Sequence, residues 1–403
     1  MPFVIVYVPR QSFAASVADR CRGRFVIQCH LPIRNEMSSF PNQSEFQPGT
    51  QWCPCPVLGI ESSCDETAAA VLSCAGEVLS NVVSSQVTVH EKFGGVVPEL
   101  AARAHLGMIN LVVEEALATA HVSKHALGAV AVTQGPGLAG ALLVGVNYAK
   151  ALSYGLGIPI IGVNHLQGHI ASAWLADPTF PLSCIVLVVS GGHTHLYRHE
   201  VDGKCILLGR TRDDAAGEAF DKGAQMLGLG YPGGPAVDRI ARSGDPEAIR
   251  FPRFHRAKNS LEFSFSGLKT ALLYKLREMD GSLRPDQTAD LAASYQEAIV
   301  QVLATKAFVA LRQSNLTALA VVGGVSANSR LRVLLSERAA REGIRLSLPA
   351  IEYCTDNAAM IASAGRQLLM NGERPYADLD ISPTERFETI HEENQSHIGF
   401  SKG

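Results

Sequence analysis

Val57-Leu-Gly-Ile-Glu-Ser-Ser-Cys-Asp-Glu-Thr-Ala-Ala-Ala-Val-Leu72 decides the fold. Val57 to Ile60 is apolar and reads as a strand, Glu61 to Thr67 is a small polar turn, and Ala68 to Leu72 returns as a second strand. Such a hairpin can offer backbone N–H groups and the side chains of Asp65, Glu66 and Thr67 to a ligand. The pattern recurs downstream. Cys184 to Val189 is a short buried strand, Ser190-Gly-Gly-His-Thr194 turns, and His195 to Arg198 continues. Ala129 to Thr133 runs through Gln134-Gly-Pro-Gly137 into a helix from about Leu138, and Ala320 to Val322 runs through Gly323-Gly-Val-Ser-Ala-Asn328 into another. Pro98 to Ala120 has helical periodicity. Alternating strands and helices predict mixed α/β sheets, and the repeated hairpin opening predicts two similar lobes around a cleft. The glycine loops have the look of phosphate cradles, but Gly-Lys-Ser/Thr is absent, so none is a Walker A site.

The 403 residues suffice for two or three domains or one bilobal domain, and 47% hydrophobic with 18% charged residues allows large cores. A formal charge of −3 gives no global basic field for nucleic acid, although a local patch can suffice. Nine cysteines with no C-x-x-C pair fit a reducing intracellular compartment; Cys53 and Cys55 form a lone C-x-C. Ala139 to Val163, the most apolar stretch, is interrupted by Asn147 and Lys150 and reads as a buried helix and strand, so no membrane association is expected. Residues 1–56 hold five arginines, no lysine and three acids. That balance suits either an organelle transit peptide or a functionless leader, poorly ordered in both cases.

Asn164-His-Leu-Gln-Gly-His169 carries His165 and His169 four apart, on one face of a helix, where two imidazoles can reach one metal ion. Asp356, in Tyr353-Cys-Thr-Asp-Asn357, can supply a third ligand. The same spacing also suits two packing or surface histidines. The surrounding glycine loops favour a metal beside a phosphate-binding cleft, as in an enzyme acting on a nucleotide or nucleotide-activated substrate.

Eight stretches in order carry a family resemblance: Gly59-Ile-Glu-Ser-Ser-Cys-Asp-Glu-Thr67, Gly94-Gly-Val-Val-Pro98, Asn164 to His169, Ser190 to Thr194, Asp213-Asp-Ala-Ala-Gly-Glu-Ala-Phe-Asp-Lys222, Tyr231-Pro-Gly-Gly234, Phe263-Ser-Phe-Ser-Gly-Leu-Lys269 and Asp356-Asn357. Together they resemble the TsaD-type tRNA threonylcarbamoyladenosine transferases, over about Val57 to Asn371. The resemblance implies an α/β fold of two duplicated lobes of the actin/heat-shock-ATPase/sugar-kinase (ASKHA) type around a nucleotide-binding cleft. The expected division is an extension at 1–56, lobes at 57–180 and 181–370, and a peripheral tail at 371–403. The implied activity moves a threonylcarbamoyl group from threonylcarbamoyl-adenylate to the exocyclic N6 amine of the adenosine 3′ of the anticodon, in tRNAs reading codons that begin with A. By the same resemblance His165, His169 and Asp356 hold one divalent metal, iron or zinc, with iron(II) ahead of zinc. Val188, Val189, Ser190, Gly191 and Gly192 contact the adenylate. Asp221 and Asp238 grip ribose hydroxyls, Gly234 admits close backbone approach, and Asn328 adds an amide contact. Glu66 or Asp65 is the candidate general base, unless either acid instead positions a metal-bound water or caps a turn. Accessory subunits of the TsaB and TsaE types are implied for a bacterial cytoplasmic member, and a homodimer for an organellar one in mitochondria or plastids.

Each motif also has a plainer use. Gly-Gly pairs make turns, Asp213-Asp214 can start a helix, Asp238 can be an exposed helix residue, and Glu218, Asp221 and Lys222 can be surface ion pairs worth under roughly 1 kcal/mol. Arg250-Phe-Pro-Arg-Phe-His-Arg-Ala-Lys258 mixes cations with Phe251 and Phe254. It suits RNA phosphates and bases, or else a loop whose phenylalanines anchor it to the core. A metallopeptidase reading fails because a zincin helix needs His-Glu-x-x-His and Leu166 stands where the glutamate belongs. A small-molecule kinase of the same lobes needs oxygen ligands for Mg-ATP rather than a histidine pair. A non-catalytic scaffold has no need of an intact His165, His169 and Asp356 set.

Overall fold

The computed structural model describes residues 4–7, 55–253, 259–279, 283–373, 378–385 and 387. In chain order the strands are β1 (Val4–Tyr7), β2 (Val57–Glu61), β3 (Glu66–Leu72), β4 (Val78–Ser85), β5 (Ala129–Gly135), β6 (Ile160–Asn164), β7 (Cys184–Val189), β8 (Thr194–His199), β9 (Cys205–Arg210), β10 (Ala318–Val322) and β11 (Arg345–Ser347). The α-helices are α1 (Val87–His90), α2 (Pro98–Ala120), α3 (Ala139–Leu156), α4 (His165–Ala176), α5 (Ala216–Met226), α6 (Gly233–Ala241), α7 (Ser266–Glu278), α8 (Pro285–Ser314), α9 (Ser329–Glu342) and α10 (Ala358–Met370).

Two sheets form, and their wiring reveals the duplication. The first runs β1-β4-β3-β2-β5-β6 and the second β11-β10-β7-β8-β9. In each, three antiparallel strands are followed by two parallel ones: β4-β3-β2 then β5-β6, and β9-β8-β7 then β10-β11. The expected hairpins are β2-β3 and β7-β8. Within the leading segment, Val4–Tyr7 adds an antiparallel edge strand to β4; the rest of residues 1–54 lies outside the described residues.

Strand periodicity sorts the side chains into separate layers. Leu58, Ile60, Ala69, Val71, Val130 and Val132 face α2 and α3. Val57, Ala68, Ala70, Leu72, Ala129 and Ala131 face α10 on the other side. In the second lobe Ile185, Leu187, Leu196 and Val321 face α5, α6, α8 and α9, whereas Val186, Val188, Tyr197 and Ala320 face Leu166, Ile170 and Ala173 of α4. Burial on both faces explains why β5 and β7 read as continuous apolar runs rather than alternating ones. Helix α4 also gives Ala171 to the first lobe's core, so it stands between the two sheets.

The last helix crosses back. α10, in the stretch expected to belong to the second lobe, packs on β2 and β3 of the first. The segment expected to be peripheral beyond Asn371 carries Leu379, 1% exposed, into the first lobe's core. Phe251 is buried against Tyr295, ring centroids 5.6 Å apart, so it anchors its loop instead of awaiting a base. Residues 254–258 of that basic stretch lie outside the described residues. Among the described residues no helix is long and apolar enough to cross a membrane.

Candidate active site between the lobes

Two glycines bring the ligand-bearing helices together. A Cβ on Gly59 of β2 would lie 2.3 Å from the Ala358 carbonyl oxygen, so only glycine lets the start of α10 approach the sheet this closely. A Cβ on Gly168 of α4 would meet Ile361 Cδ1 at 2.7 Å. Helix starts are fixed by their caps: Asn164 Oδ1 accepts from Leu166 N at 2.9 Å, and Asn357 Oδ1 accepts from Met360 N at 3.0 Å. The result joins His165 and His169 on α4 to Asp356 just before α10. Asp356 Oδ1 lies 3.4 Å from His165 Nε2 and 3.2 Å from His169 Nε2, with one ligand atom from each residue within 4.8 Å of the others.

These atoms fit a cation. His169 is fully buried, yet neither ring nitrogen makes a hydrogen bond; its approach to Asp356 lacks hydrogen-bond alignment. An orphaned buried imidazole beside a carboxylate is the arrangement a metal ion completes. A residue that the sequence reading left unassigned orients the set. Glu61, fully buried at the end of β2, accepts at Oε2 from Thr133 Oγ1 at 2.7 Å and faces His165 Nδ1 at 3.0 Å. A carboxylate on the far nitrogen fixes the ring and leaves Nε2 to the metal. Burial opposes charge on Glu61 and Asp356, but His165 beside both holds each carboxyl below the ordinary range. Burial opposes a charge on His165 as well; Asp356 and Glu61 overcome it and raise its affinity for a proton well above normal. The pocket therefore demands a positive charge.

The β2–β3 tip adds acids. Burial, with Asp65 alongside, pushes Glu66 well above the usual carboxylate range, and Ser85 Oγ donates to Glu66 Oε1 at 3.2 Å. His105, fully buried on α2, bonds Thr67 Oγ1 at 2.8 Å and the Cys64 carbonyl at 3.0 Å, which pins this loop. The charge of Asp356 adds to the rise at Glu66.

The second lobe supplies the opposite wall. Val188 and Val189 are buried at the end of β7, and Gly191 and Gly192 are exposed with open space where a Cβ would stand. Ser190 N donates to the His193 carbonyl at 2.8 Å, and Gly217 N of α5 donates to the Ser190 carbonyl at 3.2 Å. Burial raises Asp221 despite its bonds to backbone, including Gly233 N at 2.8 Å; it caps α6, where Gly234 leaves open space. Asp238 is not an exposed helix residue: Oδ1 accepts from Ser329 Oγ at 2.7 Å and Oδ2 from Arg242 at 3.2 Å. Asn328 is engaged at both ends, capping α9 through Leu331 N at 2.9 Å and donating to Gln296 Oε1 at 2.7 Å. Each end keeps one further hydrogen-bonding position, so these bonds leave room for the expected amide contact to a ligand. Asp213 caps α7, accepting from Phe265 N at 2.8 Å and Ser266 Oγ at 2.8 Å, and Lys222 pairs with Asp214 at 2.7 Å and Glu218 at 2.8 Å. Both are structural uses. Burial raises the Tyr231 hydroxyl above its ordinary range, and the negative charges of Asp65 and Asp221 add to the effect.

Comparison with known proteins agrees with this geometry. Residues 77–363 match the family model described as TsaD, tRNA N6-adenosine threonylcarbamoyltransferase. A protein of that name from Anaeromyxobacter dehalogenans (strain 2CP-C) is 55% identical over 333 residues, 82% of this chain and 99% of the relative. One from Thermosipho africanus (strain TCF52B) is 48% identical over 327 residues, 81% and 98% respectively. Among solved structures, full-length HypF in its phosphate- and nucleotide-bound form matches with TM-score 0.51 at 13% identity, covering 79% of this chain and 56% of that one. T. kodakarensis HypF gives 0.53 at 14%, covering 79% and 48%. The structural likenesses speak for the two-lobed fold alone; the sequence matches decide the rest, and the chain belongs to the tRNA N6-adenosine threonylcarbamoyltransferase family.

Proposed function

We propose that the cleft transfers the threonylcarbamoyl group of threonylcarbamoyl-adenylate to the N6 amine of a tRNA adenosine, beside a divalent metal held by His165, His169 and Asp356. The observation that carries the metal assignment is the buried His169 ring with neither nitrogen hydrogen-bonded. Two imidazoles and one carboxylate with open positions suit iron(II), our first choice from the family resemblance, and zinc takes the same donors. When bound, the metal would polarise the carbonyl under attack or anchor the threonyl carboxylate.

In the reaction the adenosine nitrogen forms a bond to the carbamoyl carbon. The carbon–oxygen bond to phosphate breaks, and AMP departs with that electron pair. The amine proton must go to a base. Glu66 is our candidate, because burial and Asp65 raise its affinity for a proton towards the working range. The exposed backbone at Gly191 and Gly192 is available to donate to developing charge. Val188, Val189 and Ser190 would line the adenylate, and Asp221 and Asp238 would accept from its ribose hydroxyls. Accessory subunits of the TsaB and TsaE types belong to the same reading, as does a cytoplasmic setting.

The test is a transfer assay with threonylcarbamoyl-adenylate and unmodified tRNA reading A-starting codons, with and without candidate accessory subunits, read by nucleoside mass spectrometry. Modified adenosine and stoichiometric AMP are expected. Absence of product under every condition, with metal bound, would overturn the reading. A finer prediction concerns Glu61. Glu61→Gln keeps the shape but removes the charge facing His165 Nδ1, and metal affinity should fall about 10–100-fold. Chelator competition measures this; unchanged affinity would remove Glu61 from the metal's support.

A further inference from the structure

One guanidinium on α9 bridges the second-lobe wall of the cleft and the segment that delivers Asp356. Arg332 Nε donates to the Ser326 carbonyl at 2.8 Å. Its Nη2 donates to the Pro349 carbonyl and reaches Cys354 Sγ at 3.3 Å. Nε and Nη2 belong to one rigid plane, so the shape of a single group sets the separation of the two segments.

The Ser326 end belongs to the wall. The loop that starts at Gly323 follows β10 and packs on the end of β7: a Cβ on Gly323, whose φ is +91°, would lie 2.5 Å from the Val189 carbonyl oxygen. Where the loop enters α9, Ser329 N and Oγ donate to Asp238 Oδ1 at 3.2 and 2.7 Å. Ser326 is fully buried, yet its Oγ makes no hydrogen bond. Its backbone fixes its place instead: Ser326 N donates to the Gly323 carbonyl at 2.8 Å, and the Ser326 carbonyl takes the bond from Arg332.

The Pro349 end leads to the metal ligand. Beyond β11 the chain makes one tight turn over Ile351–Tyr353 and reaches the fully buried Cys354. Cys354 N donates to the Ile351 carbonyl at 3.1 Å, and the thiol lies 3.6 Å from the Pro349 carbonyl and 3.5 Å from that of Ala350. The thiol can donate to one of these while its sulfur accepts from Arg332. Only Thr355 separates Cys354 from Asp356, and the Thr355 carbonyl accepts from Asn357 Nδ2 at 2.8 Å. Arg332 thus holds the approach to Asp356, and Asn357 holds the departure. A metal tolerates only a few tenths of an ångström in its ligand distances, so the approach matters.

We propose that Arg332 is a positioning residue for the transfer: it sets Asp356 against the second-lobe wall, so that metal and adenylate are held in register by a side chain that ligates neither. This rests on the transfer reading above and its metal at His165, His169 and Asp356. Lysine is no substitute, because its ammonium is a point charge without the planar fork.

The test uses cobalt(II) in the full chain, since its d–d absorption reports ligand geometry. Arg332→Ala and Arg332→Lys should each lower cobalt affinity about 10–100-fold, the range for residues that support a ligand from behind, and should alter the d–d bands at saturating cobalt. KM for threonylcarbamoyl-adenylate, measured at saturating iron(II), should rise in both. The control is Arg338→Ala on the same helix. Arg338 lies over Phe308, 4.2 Å from the ring centroid, and pairs with Glu342 at 2.8 Å, so its loss should leave affinity, spectrum and KM as they were. Melting temperatures identify the variants that fold, and Arg332→Lys, which keeps the charge and most of the stem, carries the test if Arg332→Ala does not. Natural affinity and spectrum in either folded Arg332 variant overturn the positioning role and leave the transfer reading standing. Equal losses in Arg338→Ala also overturn it, because they reduce Arg332 to general support of α9. A natural chain that binds metal but makes no product overturns the transfer reading itself.

Discussion

His169→Ala is expected to abolish metal binding and to lower the transfer rate by on the order of a thousandfold, the equivalent of the several kcal/mol a metal contributes to a charged transition state. The fold should survive. Neither ring nitrogen of His169 makes a hydrogen bond, so the substitution orphans no hydrogen-bond partner and leaves only a cavity beneath α4. The measurements are metal content by elemental analysis, product by nucleoside mass spectrometry, and the melting temperature of the same preparation. Full activity in a metal-free variant would remove the ion from the mechanism.

Gly59→Ala should do more damage to the fold than to any single contact of the site. The added methyl would lie 2.3 Å from the Ala358 carbonyl oxygen and 2.7 Å from Ala362 N. Both are backbone atoms of α10, so no side chain can swing aside and the helix itself must move. Overpacking of this kind costs about 1–3 kcal/mol, enough to lower the melting temperature by several degrees (about 2–4 °C per kcal/mol). Asp356 immediately precedes that helix, so metal affinity should fall with stability although no ligand has changed. Thermal denaturation and metal titration of the same variant test this. A stable protein with normal metal affinity would show that α10 accommodates the methyl without moving its N-terminus.

The fold was legible where local pattern and global packing agree. The β2–β3 and β7–β8 hairpins were readable because apolar runs flank short polar tips, and α2 because its periodicity is uninterrupted over Pro98–Ala120. The histidine pair was legible because its partners in the motif are local. Glu61 was not: a glutamate ending an apolar strand reads as the first residue of a turn, and only the return of α4 from 104 positions away makes it a buried partner of His165. The return of α10 to the first lobe was hidden too. Its first two turns, Ala358 to Gly365, are apolar or small on every side, which says that they are buried but not against what. Asn328 and Asp238 carried residue types suited to a ligand, yet much of their hydrogen-bonding capacity goes to α9 and its neighbours. Phe251 read equally well as a stacking platform or an anchor, and distant Tyr295 decided between them.

The crossing back of α10 has a consequence for biosynthesis. One face of the first sheet, with Val57, Ala68, Ala70, Leu72 and Ala129, is covered by a helix that ends at Met370. While the ribosome is still making the second lobe, that face has no helix to cover it. Domains usually fold in the order they emerge; here the earlier lobe must wait for the later one. A nascent chain that stalls before α10 therefore exposes an apolar sheet face and lacks Asp356 as well, so neither lobe can acquire the metal centre ahead of the complete polypeptide.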